Sequence, residues 1–206
     1  MHPNPSFRKS PLAQNLAFAR KRGFGILSVN AENGPIIAHV PFLLADDGTY
    51  ADFHLARSNA VVSVGKPARA VIAVSGPDGY VSPDWYGVAD QVPTWNYIAV
   101  HLRGRLEPLP PDALAAHLNA LADRFEADLL PKPVWKSAKM GDGVMDRMMR
   151  MILPFRLIIS DVEGTWKLNQ NKTAAARTGV IAAMEAIGGL DAEVALAMRD
   201  LPADGL

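Results

Sequence analysis

The chain has no cysteine among its 206 residues. Disulfides, thiolate nucleophiles and cysteine-ligated zinc are therefore excluded, and the lack of disulfides suits a reducing compartment. It has no net charge, since 21 Lys and Arg balance 21 Asp and Glu. A zero balance gives no global attraction to DNA, RNA or an anionic membrane. No apolar run approaches membrane-spanning length. Met1-His2-Pro3-Asn4-Pro5 lacks the basic region and apolar run of a signal peptide, so a cytoplasmic protein is expected. There is no internal repeat or low-complexity tract, no Gly-x-Ser-x-Gly elbow, and no Gly-rich loop between a strand and a helix. A hydrolase elbow, a Rossmann unit and a P-loop thus have no foothold.

What is present is a soluble, core-forming composition, half hydrophobic and one-fifth charged. Ser10-Pro11 opens a helix, with Ser at the N-cap and Pro at the first turn; Leu12, Leu16 and Ala19 form its apolar stripe. Arg20, Lys21 and Arg22 complement its C-terminal dipole, and Gly23 ends it. Strand patterns cover Phe24 to Val29, Pro35 to Leu44 and Thr49 to Leu55. Asn33-Gly34 and Asp47-Gly48 separate them as hairpin turns. Further strands are predicted at Ala68 to Ser75, Asn96 to Leu106 and Arg156 to Lys167. In the second of these, Ile98, Val100, Leu102 and Leu106 face one side, with Tyr97, His101, Arg103 and Arg105 opposite. Helices are predicted near 112–127, 144–152, 173–187 and 191–199, the third stopped by Gly188-Gly189. About six strands with helices around them predict an α+β fold, a small antiparallel barrel with peripheral helices.

The densest signal is Gly76 to Tyr97, which holds two of the four Trp and three of the four Tyr, together with Ser82, Thr94, Trp95 and Asn96. Flat rings beside short polar groups suit a flat polar ligand, and equally suit a satisfied aromatic core. His54-Leu55-Ala56-Arg57-Ser58-Asn59 offers a guanidinium fork and neutral donors for a phosphate, or a plain strand-to-helix cap. Lys167-Leu168-Asn169-Gln170-Asn171-Lys172 places three amides between two lysines; it reads as a ligand loop or as a polar turn before a helix. The five histidines have no metal-ligand spacing, so no metal site is predicted. His39, His54 and His101 are the only inexpensive acid–base candidates, and no catalytic residue is assigned.

Taken in order, these segments resemble the PaiB-like proteins, described as FMN-binding negative transcriptional regulators. The signatures are Ala38-His39-Val40-Pro41-Phe42, His54 to Asn59, Gly76 to Tyr86, Val92 to Tyr97 and Lys167 to Asn171. The resemblance runs over roughly residues 1 to 187, which defines an FMN-binding domain with helical insertions, followed by a helical tail at 188–206. It departs from the family at Ser58-Asn59-Ala60, usually Ala-Asn-Pro, and at Asn169-Gln170-Asn171, usually Ser-Gln-Asn.

The resemblance implies an antiparallel split β-barrel of the FMN-binding, pyridoxamine-phosphate-oxidase-like type, working as a homodimer with FMN at the interface. It makes Arg57, Ser58 and Asn59 the phosphate candidates, with His54 beside them. Ser82, Thr94, Trp95 and Asn96 become candidates for the ring and ribityl chain, and Lys167, Gln170 and Asn171 are expected at the same pocket. DNA is a partner by resemblance, without support from the net charge. Three functions follow as expectations: a flavin-linked regulator, an FMN-dependent oxidoreductase of the flavin reductase-like class, and a barrel that has lost flavin and binds something else.

Overall fold

The computed structural model describes residues 1–64 and 68–201. The chain runs through α1 (Leu12–Arg22), β1 (Phe24–Val29), β2 (Ile36–Leu44), β3 (Tyr50–Ala56), α2 (Ala60–Ser63) and β4 (Ala68–Val81). It continues through β5 (Thr94–Pro108), α3 (Ala113–Glu126), α4 (Val144–Met149), β6 (Ile152–Lys167), α5 (Ala174–Ile187) and α6 (Gly189–Arg199). The strands close into a barrel in the order β1-β2-β3-β6-β5-β4. This is the antiparallel barrel with helices that the strand count predicted. Among the described residues no helix is long and apolar enough to cross a membrane.

The first three strands follow from their turns. Gly34 and Gly48 take φ of 103° and 74°, conformations that L side chains rarely adopt. Asp47 secures the second turn, its Oδ1 accepting from Thr49 N at 3.0 Å and from Thr49 Oγ1 at 2.7 Å. The resulting register sets Phe42 opposite Phe53 and Phe53 opposite Phe155. The last two rings stack at 6.2 Å in the core.

By their contacts the described residues fall into two compact units. One comprises residues 19–64, 68–73 and 102–162. Its core holds Leu27, Val40, Phe42, Phe53, Ile72, Leu102 and Leu157, with Leu114, His117 and Leu121 of α3 buried as well. The other comprises residues 1–18, 74–101 and 163–201. There α5 and α6 pack Val180, Met184, Val194, Ala195 and Met198 against Val81, Tyr86 and Ile98.

Several predicted boundaries moved: the helix expected over 144–152 ends at Met149, and the strand expected from Asn96 to Leu106 runs Thr94–Pro108. Strand β4 continues past Ser75 to Val81, through Gly-Pro-Asp-Gly, which reads locally as a turn. A Cβ at Gly76 would lie 2.9 Å from Ile98 Cβ, and one at Gly79 2.5 Å from Met184 Cε. These glycines therefore serve close approach of a strand and a helix rather than reversal of the chain. Strand β6 starts at Ile152, because Ile152 pairs with Ala56 and Met151 O accepts from Arg57 N at 2.9 Å. Helix α1 starts at Leu12, where Pro11 O accepts from Gln14 N at 3.0 Å and from Asn15 N at 3.2 Å. The Ser10 hydroxyl turns instead to Asn15 Oδ1, at 2.9 Å.

Candidate functional site

In the unit built on residues 19–64, 68–73 and 102–162, β3 delivers the segment His54 to Asn59. Arg57 follows the last paired residue of β3, and its Nε donates to Arg150 O at 2.6 Å. That bond fixes the root of the guanidinium, while the residue as a whole is exposed. Ser58 is exposed too. Asn59 is half-buried and caps α2, its Oδ1 accepting from Val61 N at 3.0 Å, so its side-chain NH₂ takes no part in the cap. Ala60 is the first residue of α2. A proline there, as the family usually has, needs no backbone N–H at that position, and alanine meets the same requirement. The departure at residue 60 therefore leaves the turn intact.

His54 takes a different direction. Its Nδ1 lies 3.3 Å from His117 Nε2 of α3. Burial pushes both imidazoles below the ordinary histidine range. His117 reaches about 4, chiefly through burial and further through the charge of His54, against an opposing pull from Asp52. Asp52 is itself engaged: Arg156 grips it through Nε at 2.6 Å and Nη2 at 2.7 Å, and the same guanidinium sits 3.7 Å over the Tyr50 ring. Tyr50, Asp52 and His54 alternate along β3 opposite the buried Ala51, Phe53 and Leu55, and form a polar layer on that face.

This layer has a pH signature. A folded-state histidine pKa below the unfolded value means that the unfolded chain takes up protons first as pH falls. The contribution of the neutral pair is thus complete above about pH 6.5 and is lost progressively towards about pH 4. Thermal unfolding of the wild type should drop by roughly 5 °C or more between about pH 7 and about pH 5. His117→Leu should show a clearly smaller drop. Parallel pH profiles of the two proteins would exclude the pair as the titrating element.

In the other unit, Lys167 Nζ donates a short hydrogen bond to Thr94 Oγ1, and it lies 5.9 Å from the Phe7 ring centroid. Burial lowers the pKa of this ammonium group. The sequence named both residues, and the structure brings them together. Trp95 next to them is 55% exposed, and its ring makes a T-shaped pair with Tyr80 at 6.1 Å between centroids. Asn96 is 0% exposed; its Nδ2 reaches Met198 Sδ at 3.8 Å, and its Oδ1 has no hydrogen-bond partner among the described residues.

Gln170 turns inward, accepting from Leu168 N at 2.8 Å and donating to Trp166 O at 2.5 Å. Asn171 is exposed. Ser82 caps a 3₁₀ turn over Pro83–Tyr86, accepting from Asp84 N at 3.3 Å. Trp85 in that turn packs on the helical core, and its carbonyl would lie 2.3 Å from a Cβ at Gly179 of α5. Trp85 is thus a brace.

Asn169 explains the second departure from the family pattern. It adopts φ of 60° and accepts from Tyr86 Oη at 3.2 Å, while its Nδ2 is buried without a hydrogen-bond partner among the described residues. Asparagine tolerates the left-handed region better than most residues, which is the signal the sequence carried at this position. The Asp52–Arg156 pair, by contrast, had no such signal. Among the described residues no group of three or more His, Asp or Glu could hold a metal ion.

A family profile described as "Putative FMN-binding domain" matches residues 1–161. The chain belongs to this family. FMN is the cofactor that the FMN-binding domain family brings to it. The match ends before Lys167, so the segment Lys167 to Asn171 lies outside it. Protease synthase and sporulation protein PAI 2 of Bacillus subtilis is 29% identical over 158 residues, covering 75% of this chain and 75% of PAI 2. These two findings bear out the PaiB-like resemblance of the motifs. Among solved structures, the flavocytochrome Anf3 from Azotobacter vinelandii aligns with a TM-score of 0.59 at 14% identity, covering 81% of this chain and 72% of its own. The FAD and heme binding protein from Mycobacterium smegmatis aligns at 0.56 and 15% identity, covering 78% and 73%. At such identities the likeness is one of fold, and it agrees with the closed barrel.

Proposed function

We propose that this member of the FMN-binding domain family is a flavin-linked regulator that works as a homodimer and holds the FMN phosphate at Arg57, Ser58 and Asn59. The observation that carries the phosphate assignment is the anchored root and exposed head of Arg57. A guanidinium held through Nε keeps two terminal amino groups free to meet a phosphate as a fork. Ser58 adds a hydroxyl and Asn59 a side-chain NH₂. Bound FMN would supply the redox chemistry, and the protein groups would orient the phosphate end. His54, at the start of the same segment, is held by its contact with His117 of α3.

The regulatory half of the reading rests on similarity to PAI 2, whose name ties it to protease synthesis and sporulation. The homodimer is supported by exposed aromatic surface, with Trp95 and Tyr80 at 55% and 45%. Cytoplasmic location remains part of the same proposal.

The test begins with an absorption spectrum of the purified chain, then FMN titration, light scattering and gel shifts with and without flavin. A saturable FMN site in a dimer, with flavin-dependent DNA retention, is the expected outcome. Colourless protein that takes up no FMN removes the flavin reading. FMN uptake without any DNA retention, combined with turnover of a reduced pyridine nucleotide, moves the chain to the oxidoreductase class.

A further inference from the structure

A cleft of about 680 Å³ is formed entirely within the unit that carries Arg57. Four strands line it. Ser28 comes from β1, Arg69 and Val71 from β4, Arg103 and Arg105 from β5, and Ile158 and Ser160 from β6. Their immediate neighbours Leu27, Val29, Ala70, Ile72, Leu102, Leu106 and Leu157 are buried in the core. Strand alternation therefore turns the cleft side chains away from the core, onto one continuous face. Gly104 lies in the floor, where a Cβ would come within 1.9 Å of Ile158 O, so β5 and β6 are pressed together beneath the arginines.

The chemistry of the lining is uneven. Three guanidinium groups share the cleft with one carboxylate, Asp161, and Arg105 is also paired with Glu107. The two serine hydroxyls add neutral polar groups, and Ser160 Oγ donates to Arg103 O at 3.4 Å. Val71 and Ile158 give an apolar floor. Guanidinium forks match phosphate oxygens in pairs, and several lining one cleft suit more than one anionic charge. The volume exceeds what a bare phosphate needs and falls in the usual range for small-molecule sites, roughly 300–1,000 Å³.

We propose that this cleft binds a phosphate-bearing nucleotide other than the flavin, its phosphates on Arg69, Arg103 and Arg105 and its base on the Val71 and Ile158 floor. The site is separate from the Arg57 turn. On β6, Ile152 pairs with Ala56, the residue before Arg57, whereas Ile158 pairs with Tyr50 at the far end of β3. Six residues of strand separate the two by roughly 20 Å. The proposal stands whether or not Arg57 holds the FMN phosphate.

The experiment is calorimetric titration of the full chain with ADP and with inorganic pyrophosphate, at low and at physiological salt. ADP should bind, pyrophosphate should compete with it, and affinity should fall as salt rises. Arg69→Gln and Arg105→Gln, both at exposed positions, should each weaken ADP about tenfold or more. FMN affinity should stay within about twofold of wild type in the same variants. Three results would overturn the inference. They are no ADP binding up to millimolar concentration, ADP no tighter than pyrophosphate, and FMN affinity falling in step with that of ADP. Unchanged melting temperatures of the variants exclude misfolding as the cause of any loss.

Discussion

Replacing Gly104 by alanine should lower stability by about 3 kcal/mol or more, which for a chain of this size is a fall in melting temperature of roughly 6–12 °C. The added Cβ would come within 1.9 Å of Ile158 O and 2.8 Å of its carbonyl carbon. A flexible side chain could rotate away from such a clash, but a backbone carbonyl within a strand cannot. Relief requires β5 and β6 to move apart where they carry Leu102, Leu106 and Leu157 in the core. Gly141→Ala is the matched control. Its Cβ would meet only Val144 Cγ2, at 3.8 Å, and stability should change by less than about 0.5 kcal/mol. Thermal melts of the two variants decide the matter. A Gly104→Ala protein within about 1 kcal/mol of wild type would mean that the β5–β6 seam is looser than described.

Arg57→Ala should weaken FMN binding by about 1.5–3 kcal/mol, or between roughly tenfold and somewhat over a hundredfold in Kd. The variant removes a charged fork and leaves Arg150 O without its donor. Arg57→Lys retains the charge but loses the Nε anchor and the paired geometry, so its affinity should fall between the two. Fluorescence titration of FMN against wild type and both variants is sufficient. Equal affinity for all three would move the phosphate elsewhere. Loss in Arg69→Gln with none in Arg57→Ala would give the flavin phosphate to the arginine cleft.

What the sequence made legible was mostly local. Asn33-Gly34 and Asp47-Gly48 determine their turns through the φ values their own residues must take, and the β1–β2–β3 meander followed. Arg57 and Asn59 were legible for a similar reason: a strand end followed by a capping residue is a short-range pattern. The predicted strand stopped at Ser75 because the place of Gly-Pro-Asp-Gly within β4 depends on Ile98 and Met184, residues far away in sequence. Asp52 and Arg156 are 104 residues apart, so no spacing rule could have joined them. Alternation did not reveal that His54 would meet α3, nor that Asn96 would be sealed beneath Met198. Both depend on which helix covers which face of a strand. The family match adds FMN, which no local pattern in the chain names by itself.

Strands β4, β5 and β6 each pass through both contact units. Each unit is consequently assembled from several separate stretches of sequence, and no single cut releases either one whole. Deletion from one end would remove strands or helices from a unit whose remaining parts lie elsewhere in the chain. Attempts to isolate half of this protein as a soluble fragment should therefore give insoluble or protease-sensitive material, and biophysical work should use the full chain.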